Sequence, residues 1–307
     1  MTEEPPEIEL PRGVALAWGI AANPQRGPKR ELSIERIVEA AVEIADRDGL
    51  AAVSMSSVAT SLGFTTMSLY RYVSAKEDLI LLMQEYGTGL PPATIAEAPD
   101  WRTGLTLWAQ GTRESYAAHR WLIDIPILGT PNTPNNLAWM DSALAVLRDT
   151  ALDYDERVGI LLLVTGQTRW EATIERGYSA SNTELGLTPT ERDRAEAALL
   201  ASLVTREAFP YLFESLEAGF VESTANPFQF GFSVLLDGIG HYIERRGAGA
   251  PAAVAPEEVV TDSYPRDAAV KAARQARREA EGRLREAQKR EREAIKNARE
   301  REKQGKG

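Results

Sequence analysis

The sequence predicts an all-α protein, and three observations carry that prediction. Apolar residues recur at spacings of three and four along most of the chain. Strand-type alternation is scarce. Capping residues, several of them followed by proline, stand at the head of one apolar run after another.

The elements follow in order. Residues 1–31 mix Pro, Gly and charge and read as a flexible arm ending in Arg26-Gly27-Pro28-Lys29-Arg30. Within it the short apolar run 14–20 (VALAWGI) is expected to dock against the body. From Ser33 the pattern turns helical: Ile34, Ile37, Val38, Ala41 and Ile44 recur on one face, with Gly49 as the stop. A second helix is expected over 54–62, ending at Gly63, and a third over 65–73 after a two- or three-residue turn. Ser74-Ala75-Lys76-Glu77 has the form of a capping box opening a fourth.

Beyond Pro91-Pro92, helices are expected over 100–118, 133–150, 155–177, 189–204, 206–218 and 227–246. Residues 247–263 are an Ala/Pro/Gly linker. The stretch 267–303 is rich in Ala, Arg, Glu and Lys. Its large apolar residues, Val270, Leu284 and Ile295, are too sparse for a heptad seam, so a solvated helix is expected. The domain reading is therefore an arm at 1–31, a helix-turn-helix domain at 32–86, a helical body at 92–246, a linker at 247–263 and a basic tail at 264–307.

Composition narrows the chemistry. With 307 residues and 43% apolar content the chain can bury a sizeable core. It has no cysteine, and its two histidines, His119 and His241, are far apart, so no metal site and no thiol nucleophile is expected. No Gly-rich phosphate loop or nucleophile elbow is present, and no catalysis is expected. The N-terminus lacks the features of a signal peptide, and no apolar run is long enough to span a bilayer. The expectation is a cytoplasmic protein with no membrane partner.

Net charge is −10, but residues 265–307 hold 15 Lys/Arg against 8 Asp/Glu, a surplus of seven, which leaves −17 on the rest. A second reading is therefore a nucleic-acid-associated or scaffolding protein acting mainly through its tail.

The function-bearing segment is 54–73. Val58 and Leu62 lie on one helical face, Ala59 is small where helices approach, and Gly63 permits the turn. The next helix buries Leu69 and leaves hydroxyls and the Arg71 guanidinium projecting, groups suited to base edges and phosphates. The run Val58-Ala59, Leu62-Gly63, Met67 to Val73 and Lys76 to Leu79 resembles the DNA-binding domain of the tetracycline-repressor (TetR) family over about 55 residues.

The resemblance implies base-facing roles for Thr66, Met67, Ser68 and Arg71, and phosphate-clamping roles for Tyr70, Tyr72 and Lys76. It places Ser54 and Ser56 near DNA as well. Arg26, Lys29 and Arg30 would form an arm reaching a neighbouring groove or phosphate.

Asp100-Trp101 and Leu128-Gly129-Thr130 extend the resemblance to a ligand-binding and dimerisation domain. It implies a homodimer built on two long late helices, 155–177 and 227–246. Their apolar faces would be Ile160, Leu161, Leu163 and Val164, and Phe228, Phe232, Leu235, Leu236, Ile239 and Ile243, with Gly159, Gly166, Gly231, Gly238 and Gly240 allowing close approach. It also implies a double-stranded DNA operator as partner, read as a palindrome, and a small-molecule effector that releases a repressor. Trp108, Tyr116, His119, Trp139, Gln167 and Trp170 are the candidate effector contacts. Tetracycline repressors use a histidine just before the Leu-Gly-Thr stretch to hold a magnesium–drug chelate. This chain has Ile127 there, so neither a metal nor another cofactor is implied.

Overall fold

The computed structural model describes residues 10–20, 32–127, 129, 132–219, 226–253 and 267–304. Every regular element among them is helical. The chain separates into two compact units, Met1–Pro251 and Ala252–Gly307.

The first unit opens with a short helix, α1 (Arg12–Ala17). It docks, though chiefly on the helix-turn-helix domain and not on the body: Val14 is buried, Leu16 and Ala17 pack on that domain's core, and the Gly13 N–H donates to Asp78 Oδ1 at 3.0 Å. A Cβ at Gly13 would lie 2.7 Å from that oxygen, so only glycine lets the helix sit this close. Trp18 Nε1 donates to the Asn132 carbonyl at 2.9 Å.

Next come α2 (Ile34–Asp48), α3 (Met55–Leu62), α4 (Thr66–Leu69) and α5 (Lys76–Thr88). Ser33 caps α2 through the Arg36 N–H, and Gly49 ends it at φ 83°. Ser54 and Ser57 form a reciprocal capping box at the start of α3, and Gly63 closes that helix in the left-handed region at φ 74°. Ile37, Ala41, Val53, Val58, Leu69, Val73, Leu79 and Met83 fill one core.

Two local expectations are corrected here. The third helix, expected over 65–73, is α-helical only at Thr66–Leu69 and continues as a turn, with Tyr72 N–H bonded three residues back to the Leu69 carbonyl. The capping box expected at Ser74 does not form: Ala75 takes the cap position, and no side chain caps α5. Asp78, in its first turn, binds α1 instead.

The body comprises α6 (Trp101–Ala118), α7 (Pro134–Val146), α8 (Tyr154–Leu185), α9 (Pro189–Leu203), α10 (Pro210–Glu217) and α11 (Pro227–Gly247). Helix α8 runs two turns beyond its expected end at 177, and α10 begins at Pro210 rather than 206, since proline fits the first helical position. A second core joins Leu105, Trp108, Trp139, Ala143, Leu147, Ile160, Leu161, Val164, Leu236 and Ile239. Gly104 and Gly111 bring α6 against α7: a Cβ there would meet Val146 Cγ1 at 2.5 Å or the Trp139 ring at 2.9 Å.

The two long helices carry their apolar residues differently from the expectation. Ile160, Leu161, Val164, Leu236 and Ile239 face this body core, and Phe232, Leu235 and Ile243 pack against it. The outward set is Leu162, Leu163, Trp170, Phe230 and Val234, all more than half exposed, of which Leu163 alone was expected on the dimer face. Of the five glycines, Gly240 meets the Trp101 ring and Gly231 lies near Gln167. A Cβ at Gly159, Gly166 or Gly238 would find nothing within 4 Å.

The second unit contains α12 (Ala268–Gln304), a continuous helix of 37 residues. The linker expected at 247–263 falls outside the described residues beyond Ala253.

Candidate nucleic-acid interface

Helices α3 and α4 meet at the Gly63 turn, and α4 is held by what it buries. Leu69 is fully buried and Tyr72 packs on the same core. That anchoring turns the other side of the segment outward. Met67 is 72% exposed and Tyr70 45%, while Arg71 and Ser56 are also exposed. Thr66, Ser68 and Lys76 are half-buried at the edge of this surface. A mobile apolar thioether, a phenol and a guanidinium thus project from one short element, the mix needed for thymine methyls, base edges and phosphates.

Three of the expected contacts have local work. The Ser54 hydroxyl accepts the Ser57 N–H at 3.0 Å, so it caps α3. Ser68 shares a 3.0 Å hydroxyl contact with Thr65, whose side chain also accepts the Ser68 N–H. The Tyr72 ring belongs largely to the core. Thr65, exposed at the cap of α4, and Phe64, 36% exposed beside it, belong to the same surface, and the sequence reading passed over both. Their signal was position, one and two residues ahead of α4. Arg26, Lys29 and Arg30 lie outside the described residues.

The six candidate effector residues do not line one cavity. Trp108 and Trp139 form an edge-to-face pair with ring centres 5.6 Å apart inside the body core. Their indole N–H groups are both satisfied, by the Trp139 and Gly89 carbonyls. Tyr116 lies beside Arg169, and burial raises its phenol above the ordinary value while that guanidinium works against the rise. Arg169 donates to the Ile123 and Ile125 carbonyls at 2.6 Å each. Nearby on α6 and α8, Arg113 pairs with the buried Glu171 carboxylate at 3.0 Å.

Gln167 and Trp170 lie on the outward side of α8, in an open groove of about 490 Å³ shared with Leu162, Leu163, Gly166, Gly231 and Val234. His119 faces the head: its Nδ1 is 2.9 Å from Asp46 on α2, which also accepts Trp121 Nε1 at 2.7 Å. The sequence gives no sign of Asp46 as the partner of these rings, because its contact with Trp121 spans 75 residues of chain.

Comparison with known proteins agrees with this arrangement. Residues 37–83 match the family described as bacterial regulatory proteins, tetR family, and residues 95–243 match the tetracyclin repressor-like C-terminal domain. The chain is 34% identical over 261 residues to the HTH-type transcriptional repressor DrrR1 of Streptomyces coeruleorubidus, covering 81% of this chain and 93% of that one. An HTH-type transcriptional regulator of Saccharopolyspora erythraea is 31% identical over 123 residues, 40% of this chain and 52% of that one. Among solved structures, apo ActR of Streptomyces coelicolor superposes with a TM-score of 0.58 at 22% identity, covering 74% of this chain and all of ActR. Among the described residues, no helix is long and apolar enough to cross a membrane. The chain therefore belongs to the TetR family of bacterial transcriptional regulators, DNA-binding proteins with a helix-turn-helix head on a helical body.

Proposed function

We propose that the protein is a homodimeric repressor that holds a palindromic operator through residues 54–76 and lets go when its body takes up a small organic molecule. The observation that carries the reading is the exposed set Met67, Tyr70 and Arg71 on an element pinned from behind by Leu69. The relationship to DrrR1, named a repressor, supports repression over activation.

One such head covers only a few base pairs, so two copies about a twofold axis, with half-sites ~34 Å apart, are needed for a usable site. The outward face of α8 and α11 supplies the second copy's seat. Leu162, Leu163, Trp170 and Val234 line one open groove in one copy, with Phe230 exposed one turn before Val234, and Gly159, Gly166 and Gly238 permit close approach from outside the chain. Gln167 and Trp170 are then dimer contacts in this reading.

ActR has been solved with actinorhodin and with (S)-DNPA, and the shared fold supports an organic effector here. Polar groups for it are Tyr116 and the Arg113–Glu171 pair between α6 and α8. Release requires the effector to bind more tightly to a state whose heads are wrongly spaced. Asp46, with His119 and Trp121, joins the head to the body across which that change would pass.

Selection of duplexes from a random pool tests the reading. Enrichment of an inverted repeat, bound about 10³-fold over scrambled DNA at 150 mM salt, is expected. Failure to enrich any sequence would overturn it.

A further inference from the structure

The second unit holds a pattern the DNA-reading head does not use. Along α12 the triplet Arg-Glu-Ala stands at 278–280, 285–287 and 292–294, and Arg-Glu recurs at 299–300, a repeat of seven residues. At about 100° per residue, positions 271, 274, 278, 285, 289, 292, 296, 299 and 303 fall within an arc of about 80°. All nine are Lys or Arg. Glu281 stands at the edge of that arc, and it pairs with Arg277 outside it at 3.3 Å.

Within the stripe, like charges follow one another along the helix. Seven successive pairs in the stripe are like-charged neighbours three or four residues apart, each unfavourable in a solvated helix. The acidic column at 279, 286, 293 and 300 stands alongside rather than within it. Lys271, Arg278 and Lys289 are exposed. The stripe runs for about 48 Å, while one strand of a duplex presents a phosphate every ~3.4 Å.

We infer that α12 is an auxiliary, sequence-independent contact for the duplex DNA backbone, set by the stripe and not by the tail's overall charge. This rests on the reading that the head engages duplex DNA. Two other surfaces fit less well. A helix lying in a membrane interface needs bulky apolar residues opposite its cations. Here that side is an alanine column at 273, 280, 287 and 294, beside Leu284. A paired coil would bring Arg277 and Glu291 into its seam, in the column that holds Val270 and Leu284.

The test uses the full chain, a 40-base-pair duplex of arbitrary sequence and two triple variants of equal net charge. Arg285→Gln/Lys289→Gln/Arg292→Gln empties part of the stripe. Arg277→Gln/Arg283→Gln/Arg290→Gln removes three cations outside it. Circular dichroism checks that each retains its helix. Three lost phosphate contacts lower the slope of log K against log salt by about 2.7, so wild type weakens ~40-fold more than the stripe triple between 50 and 200 mM. The off-stripe triple is expected to keep the wild-type slope. Equal slopes for the two triples would overturn the inference. So would stripe-dependent binding to phosphatidylglycerol vesicles with no change on DNA. Neither result touches operator selection by the head, which the random-pool experiment reads separately.

Discussion

The indole N–H of Trp121 donates to the carboxylate of Asp46 at 2.7 Å, joining the body to the first helix of the DNA-reading head. The same carboxylate meets His119 Nδ1, and Gly87 of α5 packs under both rings, where a Cβ would lie 3.1 Å from Trp121 and 3.3 Å from His119. Two rings thus share one acceptor on α2 and rest on α5 behind.

Asp46→Ala is expected to cost about 1–3 kcal/mol, because Trp121 is 2% exposed and its N–H would be left without a partner. In Trp121→Phe, which has no N–H to satisfy, the same substitution should cost less. Chemical denaturation of the four proteins of this cycle checks it, with a coupling of about 0.5–3 kcal/mol expected. Strictly additive costs would show that the bond contributes nothing.

Arg71→Ala should weaken operator binding by about 1–3 kcal/mol and relax discrimination at one base position without altering thermal stability. Leu69→Ala, by contrast, should destabilise the head by roughly 2–5 kcal/mol, since that side chain is fully buried. Met67 is the most exposed apolar residue of the head and suits a thymine methyl. Replacing thymine by uracil at the base it meets should weaken wild type but leave Met67→Ala unchanged. Equal losses in both would remove Met67 from base reading.

Gly104→Ala is expected to destabilise the body by about 1–3 kcal/mol, as its Cβ would press on Val146 at 2.5 Å. Val146→Ala in the same chain should recover part of that loss. Urea midpoints for the single and double variants measure the recovery; none at all would place the strain elsewhere.

Glu156 links α8 to α11. It accepts the Tyr242 hydroxyl at 2.6 Å and also receives the Asp153 N–H and the Arg246 guanidinium, and these bonds, Tyr242 first, hold its carboxyl below the ordinary 4.5. A depressed folded value means stability that is present above the unfolded pKa and lost as pH falls through the folded one. Glu156→Gln should therefore be less stable than wild type at neutral pH, with the difference shrinking below pH ~4.5. Thermal melts from pH 7 to 3 test this; a gap that stays constant would contradict it.

Much of the fold was legible from the residues alone. Ser33 with Gly49, Ser54 with Gly63, and Asn226 with Pro227 mark helix ends by local chemistry, and the observed caps stand on those residues. Capping and periodicity depend on neighbours within about four residues, so a sequence can carry them. The DNA-reading segment was legible for the same reason: Val58, Gly63, Leu69 and Arg71 lie within one short stretch.

Tertiary packing decided what local pattern could not. Periodicity indicates that α8 and α11 have apolar faces, yet both helices are apolar on two sides. Only the packing of α6 and α7 determined that Ile160, Leu161 and Leu236 turn inward, leaving Leu163, Trp170 and Val234 outside. Trp108, Trp139 and Trp170 looked alike as aromatic effector contacts, and His119 as a polar one. Contacts made across 31 to 73 residues of chain sent two into the core and one onto Asp46, while Trp170 remained on the outer face. Burial and partner choice are sums over distant contacts, and spacing along the chain records only the near ones.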